Sequence, residues 1–203
     1  PICINAINLV EGDKVVAVRL TNGENDILVA NSNGRAVRFN ESTVRNMGRN
    51  ATGVRAITLD NDGFDHVVGM IAIENPEEET VMIVSEYGYG KRSEIEDYRK
   101  TNRGGKGVKT INITEKTGKL ISIQSVTDDN DLMIINKSGI TLRLDVSTIR
   151  VMGRATQGVR LINLEKRGDQ IASICKVNSE PEVTEETEAT NGENVDTVEN
   201  GNN

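Results

Sequence analysis

Apolar, largely β-branched runs recur along this chain at a spacing of about fifty residues. DILVA (26–30), TVMIV (80–84) and DLMII (131–135) occupy one column of the repeat. GVRAITL (53–59), GVKTINI (107–113) and GVRLINL (158–164) occupy another, with a weaker copy, CINAINL, at 3–9. Successive copies of that second run start 50, 54 and 51 positions apart. Gly34, Gly88 and Gly139, each followed four residues later by Arg38, Arg92 and Arg143, keep the last two offsets. Polar residues are interleaved with the apolar ones, as in strands packed on at least one face. The pattern predicts about four short strands per unit, in the first unit roughly 4–9, 14–21, 26–31 and 35–40.

The period varies in one place only. From the end of the GV-type run to the next apolar run the distance is 17, 21 or 18 positions. The longest version contains Glu74-Asn-Pro-Glu-Glu-Glu79, which reads as an exposed loop. Loops absorb insertions and packed cores do not, so the unit is structural. A four-stranded unit of this size cannot bury both faces alone, whereas units arrayed around an axis can. The predicted fold is therefore all-β and propeller-like, over residues 1–178. It comprises three complete units and half of a fourth, ending near Val177. Closure of such a ring needs further units, and the first residue is Pro. The sequence is thus expected to be a piece of a longer one.

Charge changes the picture by where it lies. The 203 residues carry 24 Lys+Arg and 31 Asp+Glu, a net charge of −7. Eight of the acidic residues, and no basic ones, fall in 179–203, which is predicted to be a disordered acidic tail. Such a tail either solubilises the chain or folds back on its basic surface. Residues 1–178 are close to neutral, with 24 basic and 23 acidic residues. No apolar run reaches the length of a membrane helix. With Cys3 and Cys175 in apolar runs, buried free thiols and a reducing, cytoplasmic setting are expected. One histidine, His66, and no CxxC pair give no basis for a metal site. Phe39, Phe64, Tyr87, Tyr89 and Tyr98 are too few for a platform that stacks single-stranded bases.

Aligned by unit, four columns are basic in all three copies: Arg38/Arg92/Arg143, Arg45/Arg99/Arg150, Arg49/Arg103/Arg154 and Arg55/Lys109/Arg160. These twelve residues are half of all Lys+Arg. Three of the columns cluster in the loops joining one unit to the next: 44–55, 98–109 and 149–160. Around a propeller those loops form a positive belt on one rim, the footprint of a phosphate-backbone binder. The middle loop, Arg103-Gly104-Gly105-Lys106-Gly107, sets glycines between two cations, so its backbone could closely approach a phosphate. It is not a P-loop, and Gly88-Tyr-Gly90-Lys91 reads as a tight turn between strands.

With these residues in view, the chain resembles the C-terminal domain family of DNA gyrase A subunits. The stretches FNESTVRNMGRNATGVRAITL, EYGYGKRSEIEDYRKTNRGGKGVKTINI and IRVMGRATQGVRLINL carry the resemblance, which covers about 1–178. It implies a six-bladed β-pinwheel whose blades exchange strands, with the first two blades outside this sequence. The family's box is QRRGGKG, in the first blade. Arg103, Gly104, Gly105, Lys106 and Gly107 match its last five positions, Thr101 and Asn102 depart from it, and the position fits a degenerate copy in a later blade. The resemblance further implies that duplex DNA wraps on the basic rim with positive handedness, in support of ATP-dependent negative supercoiling by a type II topoisomerase of the bacterial nucleoid. The implied partners are duplex DNA, the gyrase B subunit, and the breakage-reunion part of the same polypeptide, in a heterotetramer of two A and two B subunits. Catalytic residues, ATP and Mg2+ are implied to lie elsewhere in that complex, with no cofactor in this chain. Two rivals are a protein-interaction propeller of the kelch or WD type and the related domain of the topoisomerase IV A subunit. The first gives no reason for four basic columns, and the second fits the repeats less closely.

Overall fold

The computed structural model describes residues 4–164 and 168–179. Among them no helix is long and apolar enough to cross a membrane. The strands are β1 (Asp26–Asn31), β2 (Arg35–Asn40), β3 (Val67–Ile73), β4 (Thr80–Ser85), β5 (Tyr89–Glu94), β6 (Val108–Lys109), β7 (Leu120–Val126), β8 (Asn130–Asn136), β9 (Thr141–Asp145), β10 (Val159–Arg160) and β11 (Ile171–Asn178). They form three antiparallel sheets, ordered β3-β1-β2-β6, β10-β5-β4-β7 and β11-β8-β9. Each sheet, or blade, is built on a hairpin. The glycine column makes its turn: Gly34, Gly88 and Gly139 all have positive φ, at 77°, 83° and 86°. Asn31 and Asn136 brace their turns by accepting from the backbone N–H groups of Arg35 and Ile140 at 2.7 and 2.6 Å.

In the first two blades both outer edges of the hairpin are filled by later chain, and in the third β11 fills one edge while β9 pairs only with β8 among the described residues. β3 pairs with β1, β7 with β4 and β11 with β8. On the other edge, Val108–Lys109 pairs with Ala36 and Arg35, and Val159–Arg160 with Gly90 and Tyr89. Of the GV-type runs, expected as full strands, those at 107–113 and 158–164 contribute only two-residue strands, to a neighbouring blade, and the run at 53–59 forms none. The same rule explains why 4–9 and 14–21, predicted as strands, are not. Segment 14–21 is the counterpart of β3 and β7, whose host hairpin precedes them. No such host lies among the described residues, and an extended segment without a partner forms no ladder. Val18 and Leu20 there are 76% and 96% exposed.

The core lies between blades. Leu28, Ala30, Ile71 and Ile73 meet Val81, Ile83, Ile95, Tyr98 and Leu120 in one cluster. Met82, Val84 and Val126 meet Leu132, Ile134, Val146 and Ile149 in the next. Alternate residues of β4 face opposite neighbours, so TVMIV reads as a continuous apolar run although its side chains alternate. Fully burying each such side chain contributes about 1.5–3 kcal/mol. On the far face of the third sheet the packing stops, and Cys175 on β11 is an exposed free thiol rather than the buried one expected. Cys3 and the tail from 180 onward lie outside the described residues.

Between blades runs a polar strut made of residues that the repeat pattern assigns to the DNA-binding rim. Arg38 is buried, pairs with Asp26 at 2.9 Å, and donates to the carbonyls of Ile95 and Tyr98, at 3.1 and 3.2 Å, on the 3-10 turn of the next blade. Arg92 repeats this. It bonds Thr80 Oγ1 at 3.0 Å, Asp128 at 2.7 Å and the carbonyls of Val146 and Ile149 at 3.0 and 3.4 Å. Arg143 pairs with Asp131 at 2.5 Å, and its side chain is 48% exposed. Arg38 and Arg92 are therefore internal ties, because a buried guanidinium must be surrounded by acceptors and here finds them in protein. Burial acts to raise the Asp26 carboxyl, but Lys100, Asn40 and Arg38 outweigh it and hold the group below its ordinary value.

The strut and the strand exchange can each be tested by stability. In Arg38→Met, buried Asp26 keeps only the half-exposed Lys100 as a cation, and unfolding free energy falls by about 3 kcal/mol. In the wild type the Asp26 contribution is complete above 3.8 and is lost as pH falls through its lower folded value. That acid-side loss shrinks in the variant, and denaturant unfolding at pH 7 and pH 3 measures both effects. In Gly107→Ala a new Cβ would stand 2.3 Å from the Ala36 carbonyl oxygen at φ +73°, lowering stability by about 1–3 kcal/mol. Gly48→Ala, with open space around it, leaves the melting temperature unchanged.

Candidate nucleic-acid interface

The basic loops lie along the outer edges of the hairpins. After β5 the chain makes the 3-10 turn Ile95–Asp97, closed by Tyr98 N–H to the Ile95 carbonyl at 3.0 Å. Tyr98 fills the core, so the next residue, Arg99, faces outward. Lys100 then bridges to Arg38 in parallel, and Thr101 N–H bonds the Arg38 carbonyl at 2.8 Å. Residues 102–106 swing out, Gly107 docks against Ala36, and Val108–Lys109 rejoins the ladder as β6. The second blade repeats the path. Val151 bridges to Arg92, Met152 N–H bonds the Arg92 carbonyl at 2.9 Å, 153–157 swing out, and Val159–Arg160 rejoins as β10. RGGKG is therefore an outward excursion from an edge strand, pinned at both ends.

The structure sorts the four basic columns into distinct jobs. Arg38 and Arg92 are the buried ties already described. Arg103 and Arg154 stitch the seam to the preceding unit. Arg103 donates to the carbonyls of Thr43 and Arg55 at 3.4 and 3.3 Å, and Arg154 to those of Asp97 and Lys109, both at 2.8 Å. The two sets of acceptors correspond position for position. Both arginines remain partly exposed, so they border the outer surface.

Arg45, Arg99 and Arg150 form the outward column. Each follows the residue that caps a 3-10 turn (Val44, Tyr98 and Ile149), and each is exposed. Their guanidinium groups make no hydrogen bond or ion pair among the described residues, and neither do the side chains of Arg49, Arg55 and Lys106. The last column lies at the strand exchange. Lys109 donates to Asn112 Oδ1 at 3.2 Å, while Arg160 stacks over the Tyr89 ring at 5.5 Å and donates to its hydroxyl at 2.9 Å. Gly104 binds the seam, its N–H donating to the Ala56 carbonyl at 2.7 Å, and the exposed Gly105 accepts from Thr58 N–H at 2.9 Å. A surface that exposes uncompensated guanidinium groups at repeated positions suits an extended polyanion.

Two lysines stand outside the repeated basic columns and still carry structure. Lys100 ties Asp26 at 3.0 Å, and Lys91 is fully buried within β5. Lys91 has a legible signal, since its column holds Val37 and Leu142 in the other hairpins.

The comparisons with known proteins agree with this architecture. The family model described as DNA gyrase C-terminal domain, beta-propeller, matches residues 4–22, 25–74, 79–127 and 130–177. The last three segments coincide with β1, β2 and β3, with β4, β5 and β7, and with β8, β9 and β11. The chain is 46% identical over 175 residues to the DNA gyrase A subunit of Staphylococcus epidermidis, covering 86% of this chain and 19% of that protein. It is 47% identical over 189 residues to the Staphylococcus aureus counterpart, covering 91% and 21%. It thus spans about a fifth of the length of these relatives. A solved C-terminal domain of DNA topoisomerase IV superposes with a TM-score of 0.79 at 25% identity, covering 86% of this chain and 53% of that one. A DNA gyrase A C-terminal domain superposes with a TM-score of 0.75 at 24% identity, covering 84% and 57%. The fold is common to both enzymes, and the sequence separates them: by its family match and its identity to gyrase A subunits, the chain belongs to the DNA gyrase C-terminal domain family.

Proposed function

We propose that this chain binds the backbone of duplex DNA without base selection and holds it bent along the outer edges of the blades. It does so as the wrapping domain of a gyrase A polypeptide. The observation that carries the reading is the column Arg45, Arg99 and Arg150, exposed at repeated positions with no internal partner among the described residues. Lys106 on the excursion, and Arg49 and Arg55 in the first unit, extend the same surface. Smooth bending of a short site by 40–90° costs about 1–6 kcal/mol, which phosphate contacts and counterion release offset. Bidentate guanidinium–phosphate contacts suit that task and read no sequence.

The wrapped segment is handed to the rest of the polypeptide, which performs strand breakage together with ATP and the gyrase B subunit in a heterotetramer. We assign no catalytic step to this chain. The homology to gyrase A subunits supports this reading, and with it we propose a site of action in the bacterial cytoplasm, on the nucleoid.

A salt titration of duplex binding tests the reading. The logarithm of affinity falls linearly with the logarithm of salt concentration, by about 0.9 per phosphate neutralised. The triple variant Arg45→Ala, Arg99→Ala, Arg150→Ala flattens that slope by roughly 2.7 and weakens binding equally on unrelated sequences. Loss on some sequences only would mean base contacts, and a slope near zero in the wild type would favour a protein-binding propeller.

A further inference from the structure

Lys91 has no counterpart in its neighbours, where the column is Val37 in β2 and Leu142 in β9. Its side chain is fully buried, yet its ammonium is well supplied with acceptors. It donates to the Gly153 carbonyl at 2.7 Å, to the Arg154 carbonyl, and to Thr156 Oγ1 at 3.3 Å. All three acceptors belong to the outward loop 153–157 of its own blade.

The equivalent loop of the first blade, 102–106, is held from its flank instead. Gly104 N–H donates to the Ala56 carbonyl at 2.7 Å, Thr58 N–H to the Gly105 carbonyl at 2.9 Å, and Thr58 Oγ1 to the Gly104 carbonyl at 2.6 Å. In the second blade Asn112 stands where Thr58 would. It keeps one of these bonds, from its N–H to the Thr156 carbonyl at 3.2 Å, while its side chain accepts from Lys109. The flank anchor is thinned, and Lys91 replaces it from beneath. Carbonyl oxygens that turn inward to the ammonium are not presented to an approaching anion. The buried charge also adds to the positive field at the loop.

We propose that Lys91 is a positioning residue for DNA binding, holding loop 153–157 with the Gly153 and Arg154 carbonyls turned inward so that these oxygens do not oppose a phosphate approaching between Arg150 and Arg160. The proposal rests on the DNA-backbone reading above. Burial pushes the Lys91 ammonium down to about 8; Asp97, on the 3-10 turn, opposes this and Arg154, on the loop, adds to it. On the other side β4 sets Ile83 opposite it. Tyr98 has the same two charged neighbours, is pushed up to about 12 by burial, and stays neutral. Because the folded value lies below the unfolded one, the charge opposes folding at neutral pH, and its cost is relieved as pH rises from about 8 toward the ordinary 10.5.

The test measures binding of a labelled duplex from pH 7 to pH 9 at fixed salt, for wild type and Lys91→Met, alongside thermal unfolding and amide exchange. Lys91→Met is expected to melt no lower than wild type, to exchange faster at 153–157, and to lose roughly five- to tenfold in affinity at pH 7. Wild-type affinity is expected to step down with a midpoint near pH 8, and the variant's profile to stay flat there. Wild-type affinity and exchange in the variant overturn the proposal, as does a wild-type profile without the step. Should Lys91→Met fail to fold, Thr156→Ala and the wild-type profile decide in the same way. A wild type that binds no duplex at any pH overturns the DNA reading, and this one with it; slow exchange at 153–157 that depends on Lys91 would then mark a purely structural anchor.

Discussion

The first two blades of this protein are each finished by chain that returns from the next one. A hairpin such as β1–β2 has two bare edges, and backbone groups left unpaired there are costly once neighbours exclude water. β3 closes one edge before the next blade begins, and β6 closes the other after the chain has built the next blade's hairpin. The route that carries the chain back to β6 runs along the outer side of β2. The basic excursions therefore lie on the perimeter because the edge must be closed, and the cationic surface is a by-product of completing the sheet.

The same route sets the fate of each arginine. Where the guanidinium meets the carbonyl ends of a 3-10 turn, as at Arg38 and Arg92, it becomes a tie between blades. Where it meets carbonyls of the preceding unit, as at Arg103 and Arg154, it becomes a stitch in the seam. Only where the preceding residue is drawn into the core, as Tyr98 is before Arg99, does the next side chain stand outward with no acceptor at hand. A column of identical charges thus divides by local acceptor supply, which the one-dimensional pattern does not encode.

Much of the architecture was legible. The β-branched runs at 26–30, 80–84 and 131–135 became the central strands, and the glycine column became their turns. The strand exchange was not legible from periodicity, since pairing partners lie some seventy residues apart, and a repeat reads the same whichever hairpin receives the strand. Segments 4–9 and 14–21 have the composition of strands but lack a host, and composition cannot report a missing partner. Arg38 and Arg92, which the repeat pattern assigns to the rim, are buried, and the pattern misses this for a similar reason. Arg38 and Arg45 look alike in sequence, and only Asp26, twelve residues before Arg38, hinted at the difference. Arg92 has Thr80 at that offset, which hid the hint, and Lys91 beside it was passed over as part of a turn.

The excursion at 102–106 leaves its ladder at Thr101 and rejoins it at Val108, and both junctions are fixed by backbone bonds to β2. Nothing between them carries the register of the sheet. Such a segment is a cassette whose side chains can differ between blades, as NRGGK and GRATQ do, while the strands on either side keep their pairing. One scaffold can in this way grade its grip blade by blade, strong in one and weak in the next, while the frame that sets the curvature stays constant.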